Sequence, residues 1–351
     1  MQTLPDARWS CHGCGACCRD YRLGPVEPEV LADLRVRGAE ELAGIADWAR
    51  LEPGPNGEDG WFLAHVDGHC AFLLPDNRCA IHAAWGAEAK PGFCREFPYR
   101  RLRDPNGDVL VIRPECAGFH ATFEAGEPLA DQTEAAARLP LARQTPNFAP
   151  KAVAVLPGAG VGLDDWMQLE QALLARWQAQ APELEPEDAA RELATMAAEA
   201  IGRSVPKGRH GLAADAVREA MRMVTNAAIA QESAATEEWQ KKLVRRVKHI
   251  LDLPPSARPL SLEARRYLHA VLGQALLGKN VVANDGFVAM IGRFIFEVQL
   301  IRGAPGPAAE PVTAAEASEA LVPWLRFADN PMVISMLRRA TPALLELAGP
   351  R

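Results

Sequence analysis

The sequence predicts an α+β, mainly α, protein in which a small cysteine-rich metal-binding domain with short strands precedes an α-helical domain. All eight cysteines (Cys11, Cys14, Cys17, Cys18, Cys70, Cys79, Cys94 and Cys116) fall in the first third of the 351 residues. That third carries short apolar runs broken by turn residues, whereas beyond it apolar residues recur at helical spacing. The segregation sets a boundary near residue 125. Residues 1–125 then form the cysteine-cluster domain, 126–160 a connector and 161–351 the helical domain.

In chain order, residues 26–44 read as a helix, and residues 61–66 and 70–74 as strands. Residues 102–113 read as a hairpin, because Asn106-Gly107 sits between two alternating segments and Gly tolerates the positive φ of a tight turn. Pro140, Pro146, Pro150 and Pro157 punctuate the connector, which is expected to be irregular. Leu163, Trp166, Leu173 and Trp177 then share one helical face, as do Leu193, Met196, Ala200 and Ile201. Residues 286–301 are apolar on nearly all sides apart from Arg293, Glu297 and Gln299, the pattern of a central buried helix. Thr313 with Glu316 makes a capping box, and Ser261 and Thr236 are further candidate caps.

The totals exclude several classes. A chain of this length buries a large core, so metal is not needed merely to make it fold. A formal net charge of -7 argues against wholesale nucleic-acid binding. The start, MQTLPDARWSCHGC, lacks the pattern of a secretory signal, and no stretch offers about 18 uninterrupted apolar residues for a membrane span. A cytoplasmic protein with no membrane span is therefore expected. In that reducing setting the cysteines favour metal ligation over disulfides.

Cys11-x-x-Cys14-x-x-Cys17 brings three thiols together within one short loop, in which Gly13 and Gly15 let the backbone wrap tightly. Three ligands from one loop and a fourth from a distant segment suit a [4Fe–4S] cubane, where each iron corner needs its own thiolate. Neighbouring side chains are expected to diverge, so Cys18 would serve a different site from Cys17. Cys70, Cys79, Cys94 and Cys116 are the other ligand candidates. Eight thiolates suffice for two four-ligand sites, or for one site with supporting thiols. Zinc is the alternative, because it takes four Cys or mixed Cys/His ligands and Cys79-x2-His82 has a usable spacing; the wide spacing of the later cysteines counts against it, and His82 reads as a packed or surface histidine. A thiolate-bound cluster is anionic, and Arg19, Arg78, Lys90 and Arg95 stand beside ligand candidates in the sequence.

The string CHGCGACC at 11–18, with CAFLLPDNRCAIH at 70–82 and KPGFCREFPY at 90–99, resembles the bacterial YkgJ-type cysteine-cluster family, named for its CxxCxxCC motif. Cys116 in PECAGF matches the family's later cysteine after a hairpin. The resemblance covers about a third of the chain and implies a zinc- or iron-chelating domain. The family is distantly related to flagellin lysine N-methylases, which join a similar cysteine cluster to a helical region and are associated with a [4Fe–4S] cluster. Residues 265–280, RRYLHAVLGQALLGKN, are similar to that helical region. The resemblance thus implies, as an alternative, a protein lysine N-methyltransferase-like enzyme using S-adenosylmethionine and an unknown protein substrate.

Other motifs read as structure. The loop of a radical S-adenosylmethionine enzyme is C-x3-C-x2-C, which this chain lacks. Gly158-x-Gly160-x-Gly162 follows an apolar run at 153–156, but Pro157 interrupts it and no alternating strands follow, so a surface turn before a helix near Leu163 is expected. Residues 237–251 place Trp239, Leu243, Val247 and Ile250 on one side of a helix and Lys241, Lys242, Arg245, Arg246 and Lys248 toward the other, a solvated basic face. The leading expectation is an iron–sulfur protein; its rivals are the methylase-like enzyme and a structural zinc or redox-sensing scaffold that binds a protein partner.

Overall fold

Two hydrophobic clusters organise the chain in the computed structural model, which describes residues 1–54, 58–139, 146–180, 184–232, 238–253, 258–328 and 330–350. The smaller holds Leu23, Leu31, Leu34, Trp48, Phe72 and Ile81 together with Cys70. The larger joins the rest of the N-terminal third, including Trp9, Val109 to Ile112 and Cys116, to the helices that follow. Residues 97–123 therefore pack onto the helical part, while residues 18–94 pack mostly on one another.

The expected α+β, mainly α architecture is present, with the strands in antiparallel two-stranded pairs. Residues 26–44 form two helices, Pro28–Val36 and Ala39–Ala43, because Gly38 adopts a left-handed φ of 82° between them. The predicted hairpin is Tyr99–Asp104 paired with Gly107–Ile112, so that its turn residues are Pro105 and Asn106. Strand Asp59–Leu63 pairs with Ala49–Pro53. In the run 70–74 only Cys70 continues a strand, His69–Cys70, before the chain turns.

The connector is more ordered than its prolines suggest. It holds the helix Thr133–Arg138 and a hairpin, Ala152–Leu156 with Ala159–Gly162, whose Val153 and Val155 are buried. Gly158 supplies the turn at φ 71°, and a Cβ on Gly160 would stand 2.2 Å from the Val153 carbonyl. These glycines are thus used by a tight hairpin. Pro140 lies outside the described residues.

Beyond it run nine α-helices among the described residues, from Leu163–Ala179 to Thr341–Ala348. Phe287–Arg302 is the buried central helix that the apolar run predicts, packed on Pro186–Ala200, Ala314–Ala328 and Thr341–Ala348. A Cβ on Gly292 would stand 1.9 Å from the Leu344 carbonyl oxygen, so only glycine allows this crossing. Its Glu297 is buried but accepts from Arg293 and from the Trp324 indole, both at 2.9 Å, which satisfies the carboxylate. Trp166, Leu173 and Trp177 are buried as expected; Ala200 is exposed.

The capping box is present in both directions: the Glu316 amide donates to Thr313 Oγ1 at 3.2 Å, and the Thr313 amide donates to Glu316 Oε2 at 2.8 Å. Ser261 caps Leu262–Leu277 by accepting from the Ala264 amide at 3.0 Å. Thr236, Glu237 and the Trp239 side chain lie outside the described residues, while Lys242, Arg245 and Arg246 of Glu238–Asp252 are exposed. Among the described residues no helix is long and apolar enough to cross a membrane.

Candidate metal centre

The cysteine loop turns inward because two glycines take conformations that other residues resist. Gly13 and Gly15 have φ of 71° and 67°, and Gly15 precedes a short 3-10 turn, Ala16–Cys18. A Cβ on Gly15 would stand 3.2 Å from Asn77, so this side of the loop lies flat against the 76–79 turn. Arg19 clamps the arrangement, donating to the Cys14 carbonyl at 3.0 Å and to Asn77 Oδ1 at 2.5 Å.

The turn delivers Cys17 and Cys18 into a cavity of about 290 Å³ that Cys70, Cys79 and Cys94 also line. Cys70 ends a strand, Cys79 sits at the N-cap of helix Ala80–Trp85, and Cys94 lies in helix Gly92–Glu96. The Phe72 amide points at Cys70 Sγ from 3.5 Å, a donor of the kind that stabilises a thiolate. Tyr21, Phe93, Phe97 and Tyr99 supply much of the remaining wall. The expectation that Cys17 and Cys18 diverge is corrected here. Their sulfurs lie 3.9 Å apart in one cavity, so the two adjacent side chains of the Ala16–Cys18 turn converge.

Burial dominates the electrostatics. It pushes the Cys70 thiol up to about 12 and raises Cys94 well above the ordinary thiol value. A hydrogen bond with Cys18 lowers Cys17 to about 6, helped by the Lys90 ammonium and opposed by burial; the same bond, with burial, raises Cys18. Lys90 lines the cavity, and its charge acts on Cys17, Cys70 and Cys94. It is the predicted cation that faces the thiols. Arg19 bonds the loop backbone, Arg78 pairs with Asp76 at the surface, and Arg95 pairs with Glu88 at 2.6 Å.

Cys11, Cys14 and Cys116 stand outside this cavity. Cys11 and Cys14 are exposed, whereas Cys116 is buried after the hairpin, where burial pushes its thiol up to about 11. The two segments meet: a Cβ on Gly118 would stand 2.4 Å from the His12 ring. The charge of Cys14 and that of Cys17 both act on Cys116. All eight cysteines are free thiols, and His82 is exposed. Among the described residues no three His, Cys, Asp or Glu side chains are drawn in closely enough to hold a single metal ion.

The sequence did not single out the residues that brace this site from a distance. Arg326, on helix Ala314–Ala328, donates to Asp20 Oδ2 at 2.7 Å and to the Glu115 carbonyl at 3.1 Å, and its guanidinium lies 4.4 Å from the Tyr21 ring centroid.

Compared with known proteins, residues 10–117 match the model of the CxxCxxCC family, described as "Putative zinc- or iron-chelating domain". The matched span contains all eight cysteines. No curated protein and no solved structure matches the chain.

Proposed function

We propose, from the zinc- or iron-chelating domain matched over residues 10–117, that the chain is a cytoplasmic iron–sulfur protein whose cysteines hold a [4Fe–4S] cluster. One observation carries this reading: five thiols stand around a cavity of about 290 Å³. A structural zinc ion draws its four sulfurs in to about 2.3 Å and leaves no such space, whereas a cubane separates its thiolates by the width of the cluster. Four of Cys17, Cys18, Cys70, Cys79 and Cys94 would ligate it. The Lys90 ammonium and the Phe72 amide would offset its negative charge. Bound there, the cluster supplies one-electron chemistry or a rigid cross-link.

Zinc is favoured by one observation of its own. The 3.9 Å between Cys17 and Cys18 sulfurs is close to the edge of about 3.8 Å that a ZnS₄ tetrahedron with 2.3 Å bonds requires. The methylase-like reading rests on the sequence resemblance alone. Residues 265–280 fall on helix Leu262–Leu277 and the turn after it, where Tyr267, Leu268, Val271 and Leu272 are spent on the core.

Purification without oxygen, with iron, acid-labile sulfide and zinc measured together, tests the proposal. Iron and sulfide in equal amounts, in multiples of about four per chain, are expected. Stoichiometric zinc without sulfide overturns the iron reading in favour of zinc.

A further inference from the structure

Helix Leu262–Leu277 has two working faces. Tyr267, Leu268, Val271 and Leu272 enter the core, whereas Arg266, His269, Ala270, Gly273 and Gln274, spaced as one helical face, line a second cavity of about 390 Å³. That volume falls within the range of about 300–1,000 Å³ usual for small-molecule pockets. No cysteine lines it, so it is separate from the metal cavity. Ala270 and Gly273 cut a notch into the helix, and a Cβ on Gly273 would already stand 3.0 Å from Leu4 Cδ1 of the N-terminal segment that shares the lining.

The apolar walls are fixed in advance. The Trp177 and His269 rings stack with centroids 4.2 Å apart. The Trp177 indole donates to the His269 carbonyl at 3.1 Å, and His269 Nε2 donates to the Trp177 carbonyl at 2.9 Å. Phe119 and Phe123, both packed on the Tyr267 ring, supply further wall. These bonds also decide what the polar side chains present. Because His269 Nε2 is the donor, Nδ1 is an acceptor, and burial, which lowers His269, favours that neutral ring. Gln274 is buried and its Oε1 accepts from the Ile112 amide at 2.9 Å, so its NH₂ is the group it offers the cavity. Arg266 pairs with Glu124 at 3.3 Å, and Asp6 and Arg8 add one charge of each sign, so the lining favours no net charge.

We propose that this cavity binds a small neutral carboxamide with an apolar body: the amide N–H donates to His269 Nδ1, the amide carbonyl accepts from the Gln274 NH₂, and the body lies against Trp177, Phe119 and Phe123. An amide offers one donor and one acceptor without charge, which matches the two groups presented. An ester leaves His269 Nδ1 unmet, and a carboxylate sets a second acceptor against it. This site is independent of the metal reading.

Chemical-shift titrations of the isotope-labelled full chain with benzamide, methyl benzoate and benzoate test the proposal. Benzamide is expected to bind about tenfold more tightly than either of the others, the effect of one unmet hydrogen bond. Its shifts should map to residues 4–8 and 266–274. Ala270→Phe, which fills the notch from a half-buried position, is expected to abolish them while leaving the rest of the spectrum in place. Methyl benzoate or benzoate binding as tightly as benzamide overturns the ligand class. Shifts that map elsewhere, shifts that persist in a folded Ala270→Phe, or no binding by any probe overturn the site. If Ala270→Phe does not fold, the probe ranking and the shift map of the wild type decide alone.

Discussion

Arg326 and Asp20 form an ion pair at 2.7 Å, joining a helix near the end of the chain to the residue two positions beyond Cys18. Because the same guanidinium bonds the Glu115 carbonyl beside Cys116, one side chain braces both segments that bring cysteines to the centre. Arg326 is buried, while Asp20 keeps about a third of its side chain exposed. The helical region therefore acts as a buttress for the metal loop.

Arg326→Met is expected to destabilise the fold by about 2–3 kcal/mol, below the 3–5 of a fully buried pair because Asp20 remains partly solvated. The loss should be larger in the metal-loaded protein than in the metal-free one, since the loop is ordered more strongly when loaded. Arg326→Lys should recover part of it, because an ammonium cannot fork between Asp20 and the Glu115 carbonyl. Denaturant titrations of both forms check this. Equal losses in the two would remove Arg326 from the support of the site.

Local features were legible and distant ones were not. The Thr313–Glu316 box, the hairpin ending at Ile112 and the buried helix Phe287–Arg302 follow from spacings of a few residues. The eight cysteines were visible as ligand candidates from their clustering. Arg326 and Asp20, 306 positions apart, share no local pattern, so no periodicity links them. The convergence of Cys17 and Cys18 was missed for another reason: it depends on the local conformation of the Ala16–Cys18 turn that follows the positive φ of Gly15, which adjacency alone does not reveal.

Lys279 is a second long-range tie. Its ammonium is buried between Asp104, at 2.9 Å, and Glu170, joining the cysteine-domain hairpin to helix Leu163–Ala179. Lys279→Met leaves two buried carboxylates without their cation and is expected to cost about 3–5 kcal/mol. Burial already raises Glu170, and removing Lys279 raises it further. A carboxyl whose folded value exceeds its unfolded value contributes stability at low pH that is lost as pH rises. The variant's deficit should therefore grow from pH 5 to pH 8, which thermal melts across that range measure. A flat deficit would mean that Glu170 does not take up the proton.

Thr313→Ala removes one half of the capping box and is expected to cost about 1 kcal/mol. The metal content should be unchanged, because the box lies in the helical region and touches no cysteine. Metal analysis of this variant separates a general loss of stability from the specific loss expected of Arg326→Met. A fall in its metal content would show that loading follows global stability alone.

The buried thiols predict how loading depends on pH. Cys18, Cys70 and Cys94 are all raised above the ordinary thiol value, Cys70 to about 12, so each carries its proton at neutral pH in the metal-free chain. A metal binds thiolates only, so filling the cavity through these three must expel a proton from each. Each proton released makes the apparent affinity rise about tenfold per pH unit, as long as the pH stays below the thiol value. Loading should thus strengthen steeply from pH 6 to pH 9. Cys17, lowered to about 6, adds little to that slope above neutrality. Calorimetric Zn(II) titrations in buffers of different ionisation enthalpy count the protons directly, and about three or more for a metal bound in the cavity are expected. Fewer than two would mean that the cavity thiols are already ionised, or that the metal is held elsewhere among the eight.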